Sequence, residues 1–188
     1  MLISSSQDLA GLGGDVRYLR TTAEARVYLP VTDKITLATR ASGGTISGWG
    51  GSDVRLLDMF YRGGETVRGF ATGGIGPRDS SSANQDAIGG ANYLATTAEL
   101  RFALPFAPDE LGLRGAIFAD AGSLWGASKA TKAIPGVVGT TAALRASVGT
   151  GLIWDSPLGP LRVDYAQPLV KQPFDKTQNL RFGLVPGF

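Results

Sequence analysis

The side chains that could do chemistry in this sequence are arginines and carboxylates, which recur at alternate positions. Examples are Glu24 with Arg26, and Arg162 with Asp164. The 188 residues contain no histidine and no cysteine. Their absence excludes a His/Cys metal site, a Ser-His-Asp triad and a cysteine nucleophile. The chemistry that remains is ion pairing between fixed guanidinium and carboxylate groups.

Other candidate groups give no sign of a catalytic or ligand-binding site. Asp53, Asp58, Asp79 and Asp86 lie in loop-like sequence without convergent partners. The glycines of 136–144 do not lie between a predicted strand and a predicted helix, so no phosphate-binding loop is indicated. With a net charge of +2 and scattered basic residues, nucleic-acid binding has no particular support either. We expect no enzyme, no cofactor and no metal.

The elements that carry the charged residues have the two-residue period of β-strands. Seven segments place apolar residues on one face and at least one arginine on the other: 19–29, 35–42, 92–104, 111–121, 144–154, 161–169 and 180–188. Residues 2–10 form a weaker eighth segment. A polar face rich in arginine and glycine is typical of the interior of a transmembrane barrel. A soluble β-sandwich or a lipocalin-like barrel would also show alternation.

The lengths of the connections favour the membrane barrel. Short turns at 30–34, 105–110 and 156–160 alternate with longer loops at 49–88, 123–142 and 170–178. Outer-membrane barrels have short periplasmic turns and long extracellular loops. The loop at 49–88 is rich in glycine but also contains aromatic residues, so we expect it to be ordered and to fold into the barrel. The sequence predicts one all-β domain over 1–188, a transmembrane antiparallel β-barrel.

Four motifs in the same order carry a family resemblance. YRGGETVRGF (61–70) resembles the sixth extracellular loop of the outer-membrane protein 85 superfamily, also called the bacterial surface antigen family. FADAG (118–122) matches that family's FxDxG strand motif. SPLGPLRVDYAQPL (156–169) and AGLGGDVRYLR (10–20) are similar to segments of its BamA-type assembly factors. The chain is thereby identified as a BamA-like member, resembling the family from about residue 7 to 188.

The resemblance implies a loop anchored inside the lumen. Arg68 would meet Asp120, and Glu99 would be a second partner for Arg68. Alternatively, Glu99 pairs with Arg101 or Arg114 in a general interior network, and Arg68 is a solvated loop residue. The implied loop-lock motif is Val67, Arg68, Gly69 and Phe70, and its implied lumen partners are Phe118, Asp120, Gly122 and Glu99.

The C-terminus resembles the signal by which outer-membrane barrels enter their assembly machinery. Its apolar positions include Phe182, Leu184, Pro186 and Phe188. A lipid-facing strand that ends in an aromatic girdle residue would show the same pattern. Pro186 cannot donate to a strand ladder, which fits either a weak seam where the barrel closes or a frayed terminus.

The resemblance implies a protein that folds and inserts β-barrel proteins into the bacterial outer membrane. Its partners would be outer-membrane lipid, unfolded outer-membrane proteins and assembly-complex lipoproteins. The alternatives are a polypeptide-translocating pore of the same superfamily and a small stand-alone barrel. The family barrel has sixteen strands preceded by POTRA domains, whereas this sequence carries about eight strands and no POTRA segment. It would be the C-terminal half of such a barrel, or a self-closed eight-stranded barrel in which Arg68 could not reach Asp120.

Overall fold

The alternating segments form one large antiparallel sheet. The computed structural model describes residues 1–11, 13, 16–105, 107–108, 111–157 and 159–184. In chain order the strands are β1 (Leu2–Ala10), β2 (Tyr18–Thr32), β3 (Ile35–Gly48), β4 (Gly69–Phe70), β5 (Arg78–Asp79), β6 (Asn92–Ala103), β7 (Leu113–Trp125), β8 (Val137–Val138), β9 (Arg145–Ser156), β10 (Gly159–Val170), β11 (Thr177–Gln178) and β12 (Leu180–Leu184).

Eight of these strands make the sheet, in the order β1-β2-β3-β6-β7-β9-β10-β12, each antiparallel to its neighbours. The predicted all-β class is confirmed, including the weaker first strand. Among the described residues no ladder joins β1 to β12, so the sheet has two edges. The remaining four strands form two short pairs, β4 with β11 and β5 with β8. In the described part of the chain, no helix is both long and apolar enough to cross a membrane.

The two faces of the sheet have the reverse of a soluble protein's polarity. On one face, large apolar side chains such as Leu94, Leu169 and Phe182 are exposed. The other face carries buried charged residues, among them Glu99 and Asp120. We call these the outer and the inner face. An apolar outer face and a polar interior are the pattern of a barrel that spans a membrane.

The connections also follow the predicted alternation of lengths. The turn predicted at 30–34 is shorter than expected, because β2 runs to Thr32 and β3 starts at Ile35. The turns predicted at 105–110 and 156–160 lie only partly within the described residues. The loop at 49–88 contains β4, β5 and a 3-10 turn at Leu56–Asp58. The loop at 123–142 starts later than predicted, because β7 continues to Trp125, and it contains a short helix, α1 (Lys129–Lys132).

The hydrophobic core lies between the long loop and the inner face. Loop residues Phe60, Val67 and Phe70 pack with Tyr93 of β6 and Leu124 of β7. The rings of Phe60 and Tyr93 meet edge to face, with centroids 4.8 Å apart. The loop is therefore ordered by burial of its own aromatic residues, and it covers the inner face.

Candidate functional site

A tight turn directs the loop motif onto the inner face. The backbone N–H of Gly63 donates to Oγ1 of Thr66, whose hydroxyl in turn donates to the Gly63 carbonyl oxygen, at 3.0 and 2.9 Å. Gly69 has a φ of +89°, a conformation that favours glycine. A Cβ at Gly69 would lie only 3.2 Å from the ring of Pro168 in β10. The chain thus reaches the barrel wall at the residue after Arg68.

Arg68 makes the central contact of the site. Three of its N–H groups donate to the Asp120 carboxylate of β7: the backbone N at 3.0 Å, Nε at 2.7 Å and Nη2 at 2.8 Å. Its Nη1 donates to Oε2 of Glu99 in β6 at 2.6 Å. The side chains of Arg68, Asp120 and Glu99 are 8%, 0% and 4% exposed. The structure brings together the three charged residues named from the sequence.

The other motif residues fit around this contact. The Phe118 ring lies beneath the guanidinium, with its centroid 3.3 Å from Cζ of Arg68, a cation–π arrangement. Val67 is fully buried and faces Gly122, where a Cβ would come within 2.7 Å of Cγ2 of Val67. Gly122 therefore provides the space that the loop motif occupies.

The inner-face cluster is larger than the sequence motifs indicate. Arg162 of β10 contacts Glu99 through Nη1 and Nη2, at 3.0 and 2.7 Å. Its Nε contacts both carboxylate oxygens of Asp164, at 2.8 and 2.7 Å. Arg101 adds a third guanidinium to Glu99, at 2.7 Å. The sequence analysis gave the pairing of Glu99 with Arg101 as an alternative, but it assigned no contact with Glu99 to Arg162.

We call this set of six residues the anchor cluster; its members are Arg68, Glu99, Arg101, Asp120, Arg162 and Asp164. Three guanidinium groups face three carboxylates, so the cluster has no net charge. A buried ion pair contributes little net stability, but removal of one partner leaves a buried charge uncompensated. The cluster can therefore hold the loop in one position.

A second buried pair ties the strand ends to the neighbouring loops. Asp175, which follows β10, accepts from Nε and Nη2 of Arg145 in β9, both at 3.0 Å. Both side chains are 0% exposed. Sequence reasoning missed the pair of Arg145 and Asp175, since Asp175 lies in a segment without periodicity.

A third buried arginine, Arg78, is held by the loop backbone. It donates to the carbonyl oxygens of Gly73 and Gln85. Burial lowers the pKa of Arg78 below its usual value.

Asp53, dismissed as an unpartnered loop residue, has a structural partner. Its Oδ2 accepts from the backbone N–H of Ala130 in α1 at 2.7 Å, and its Oδ1 accepts from the Val54 N–H at 3.1 Å. Desolvation alone would raise the pKa of Asp53, but these N–H donors outweigh it and lower the pKa below its ordinary value. Asp53 thereby links the long loop to the following one.

Two further expectations have different outcomes. The alternative pairing of Glu99 with Arg114 is wrong: Arg114 pairs with Asp155, and their side chains are 53% and 41% exposed. Arg114 lies near the start of β7, close to a short turn and away from the cluster. The alternative pairing with Arg101 is present together with the Arg68 contact.

Of the C-terminal signal residues, the structure describes Phe182 and the backbone of Leu184. Phe182 is exposed on the outer face and pairs with Val163 in the ladder. The backbone of Leu184 pairs with Leu161. The side chain of Leu184, together with Pro186 and Phe188, lies outside the described residues, so the proposed seam stays a prediction.

Comparisons with known proteins agree with the resemblance. The Omp85 superfamily domain matches residues 1–186. The outer membrane protein assembly factor BamA of Neorickettsia risticii is 40% identical over 182 residues, covering 95% of this chain and 23% of the relative. The sorting and assembly machinery component 50 homolog A of Xenopus laevis is 30% identical over 190 residues, covering 97% of this chain and 40% of that relative.

A solved structure is similar over the same region. The crystal structure of BamA from Haemophilus ducreyi lacking POTRA domains 1–3 superposes with a TM-score of 0.82 at 29% identity, covering 96% of this chain and 37% of that one. The chain thus spans less than half the length of the proteins it matches. The inverted polarity of the sheet, the anchored loop and these matches together show that the chain belongs to the Omp85 superfamily.

Proposed function

We propose that this chain is the C-terminal barrel portion of an outer-membrane protein assembly factor, which folds and inserts β-barrel proteins. The observation that supports this most directly is the anchored loop, in which Arg68 contacts Asp120 and Glu99 on the inner face. A relative covering 95% of the chain is named outer membrane protein assembly factor BamA. In this proposal the cluster holds the loop in the lumen while a sheet edge accepts strands of the substrate.

The chain is an outer-membrane barrel component, and we assign it to the bacterial rather than the mitochondrial outer membrane. The BamA of N. risticii is 40% identical, against 30% for the X. laevis component 50 homolog. The proposed partners are outer-membrane lipid on the outer face, unfolded outer-membrane proteins, and lipoproteins of the assembly complex. A polypeptide-translocating pore of the same superfamily has less support, because relatives that match 95% and 97% of this chain are named outer membrane protein assembly factor BamA.

The test is the folding of a small outer-membrane barrel protein, diluted from urea into liposomes that contain the full natural protein. Folding is followed by the heat-modifiable shift of the substrate on a gel. We expect faster folding than in empty liposomes. We also expect Arg68→Ala to reduce the acceleration, because the buried carboxylate of Asp120 loses the guanidinium it contacts and Glu99 loses one of its three.

Arg55 provides a matched control in the same loop. Its guanidinium is largely exposed and pairs with Asp58, so Arg55→Ala should leave the folding rate unchanged. Equal folding rates in empty and protein-containing liposomes would reject the assembly function. Single-channel recording of the same liposomes examines the alternative, since a translocating pore predicts a steady open conductance.

A further inference from the structure

Arg162 connects the loop anchor to the far side of the sheet. Its Nη1 and Nη2 donate to the two carboxylate oxygens of Glu99 in β6, and its Nε donates to the carboxylate of Asp164 on its own strand. Glu99 is also the carboxylate that Arg68 contacts at 2.6 Å. Two-pronged contacts of this kind fix orientation as well as distance. The position of Glu99, and thus one of the carboxylate contacts of Arg68, depends on β10. A carboxylate of β10 itself, that of Asp164, lies 3.9 Å from Nη1 of Arg68.

The contact between Arg162 and Glu99 passes over two strands, and two glycine residues leave the space that it occupies. β7 and β9 lie between β6 and β10 in the sheet. A Cβ at Gly151 of β9 would lie 2.3 Å from Oδ1 of Asp164 and 3.1 Å from Nη2 of Arg162. A Cβ at Gly149 would lie 2.4 Å from the Phe118 ring. At Gly149 a Cβ would also lie 2.4 Å from the backbone oxygen of Tyr165, which cannot move aside. At Gly151 a Cβ would force the Asp164 carboxylate to shift, so glycine at both positions leaves room for the cluster.

These glycines are needed for space and not for backbone conformation. Gly149 and Gly151 are absent from the glycines with positive φ. Glycine in a strand interior weakens the strand and often marks a close approach by another group. Two such residues at alternate positions of β9 therefore indicate a built passage between β7 and β10.

We propose that Arg162 is a positioning residue for the loop anchor: through the gap at Gly149 and Gly151 it holds Glu99 against Arg68. Docking of the loop is thereby coupled to β10, the strand on which β12 pairs. The link between this coupling and barrel assembly rests on the function proposed above. The coupling itself does not.

The coupling is measured by the accessibility of Val67, which is fully buried beside Arg68. The chain has no cysteine, so Val67→Cys, in a full natural protein cleared of any other cysteine, gives one reporter thiol. Its rate of labelling by a water-soluble maleimide reports release of the loop. We expect Arg162→Gln to raise this rate at least about threefold. Arg162→Lys should raise the labelling rate almost as much as Arg162→Gln, because an ammonium group lacks the planar fork of a guanidinium and cannot contact both oxygens of Glu99 in the same way.

The decisive measurement is the same change made with Glu99→Gln already present. If Arg162 acts through Glu99, Arg162→Gln should then have almost no further effect on labelling. An equal increase in both backgrounds would overturn the proposal, since it would mean a general structural role. Gly151→Ala provides an independent route, because it displaces Asp164 and Arg162 without changing any charge. It should raise labelling and be non-additive with Arg162→Gln.

Two control variants keep the result specific. Arg40→Gln removes another inner-face guanidinium, one that pairs with Glu24, and should leave labelling unchanged. Gly43→Ala adds a Cβ in ordinary contact at 3.5 Å and should do likewise. The heat-modifiable shift of each variant shows that its barrel is folded before labelling.

The liposome folding assay separates the two hypotheses. Suppose that the effect of Arg162→Gln on labelling depends on Glu99, but that the wild-type protein does not accelerate folding of the substrate. The coupling would then be retained and the assembly function rejected. If instead the wild-type protein accelerates folding but Arg162→Gln leaves the labelling rate unchanged, the assembly function would be retained and the coupling rejected. If both hypotheses hold, Arg162→Gln should slow substrate folding in proportion to the released loop.

Discussion

Removal of the charge of Asp120 gives a direct measure of the loop anchor. Asp120→Asn keeps the volume of the side chain. The carboxylate accepts from the backbone N, Nε and Nη2 of Arg68 at 3.0, 2.7 and 2.8 Å. An amide offers one acceptor oxygen and turns its NH₂ group toward a donor. Asp120 is 0% exposed, so water cannot replace the lost contact.

The expected magnitude follows from what remains after each change. Loss of one partner of a buried pair costs about 3–5 kcal/mol. Asp120→Asn should fall near the lower figure, because Arg68 keeps Glu99 at 2.6 Å. Arg68→Met should fall near the upper figure, because both carboxylates lose a guanidinium. In the double variant neither charge at this contact is left alone, so the combined loss should be smaller than the sum by about 3 kcal/mol.

The assay is urea unfolding of the full natural protein in detergent micelles, followed by tryptophan emission. The four proteins of the cycle are compared under one set of conditions. Arg40→Met with Asp120→Asn is the control cycle, since Arg40 pairs with Glu24, and it should be additive. Additivity within about 0.5 kcal/mol for the Arg68–Asp120 cycle would refute the anchoring argument.

Three further outcomes are expected. Gly122→Ala should cost about 1–3 kcal/mol in urea unfolding, because its Cβ would meet Val67 at 2.7 Å; no loss would mean that the loop yields. Arg145→Gln and Asp175→Asn should each cost about 3–5 kcal/mol in the same assay, and less than additively together, because the pair is fully buried. The pKa of Asp53 is lowered on folding, so its contribution is present above the unfolded-state pKa and lost as pH falls through the lowered value. Hydrogen exchange at the Ala130 amide should therefore become less protected in acid, and Asp53→Asn should abolish that pH dependence.

Much of the fold could be predicted because its signal is local. A strand between lipid and a polar lumen repeats every two residues, and that period is visible within each segment. The same period assigns Glu99, Asp120 and Asp164 to one face without any knowledge of partners. The contact of Arg68 with Asp120 came from the resemblance of 61–70 and 118–122 to family motifs.

What could not be predicted depends on position across the sheet. Alternation predicts which face of the sheet Arg114 lies on but not its position along the strand axis. Arg114 lies near the start of β7, where it pairs with Asp155 in an exposed position. Arg145 and Asp175 are 30 residues apart, joined only by the fold. The passage at Gly151 becomes visible only when β10 is placed beside β9. In sequence, this residue is one glycine among 27.

The contact between Arg162 and Glu99 also sets a limit on the shape of the wall. β6 and β10 are three strand spacings apart, about 14 Å measured along the sheet. Across that spacing the guanidinium and the carboxylate meet at 2.7 Å, so the two side chains together bridge β7 and β9 on the inner face. Any movement of β10 away from β6 would lengthen the gap that the two side chains bridge and break the contact. The contact between Arg162 and Glu99 therefore holds β6 and β10 at one separation, and any widening of the wall between these strands must first break it.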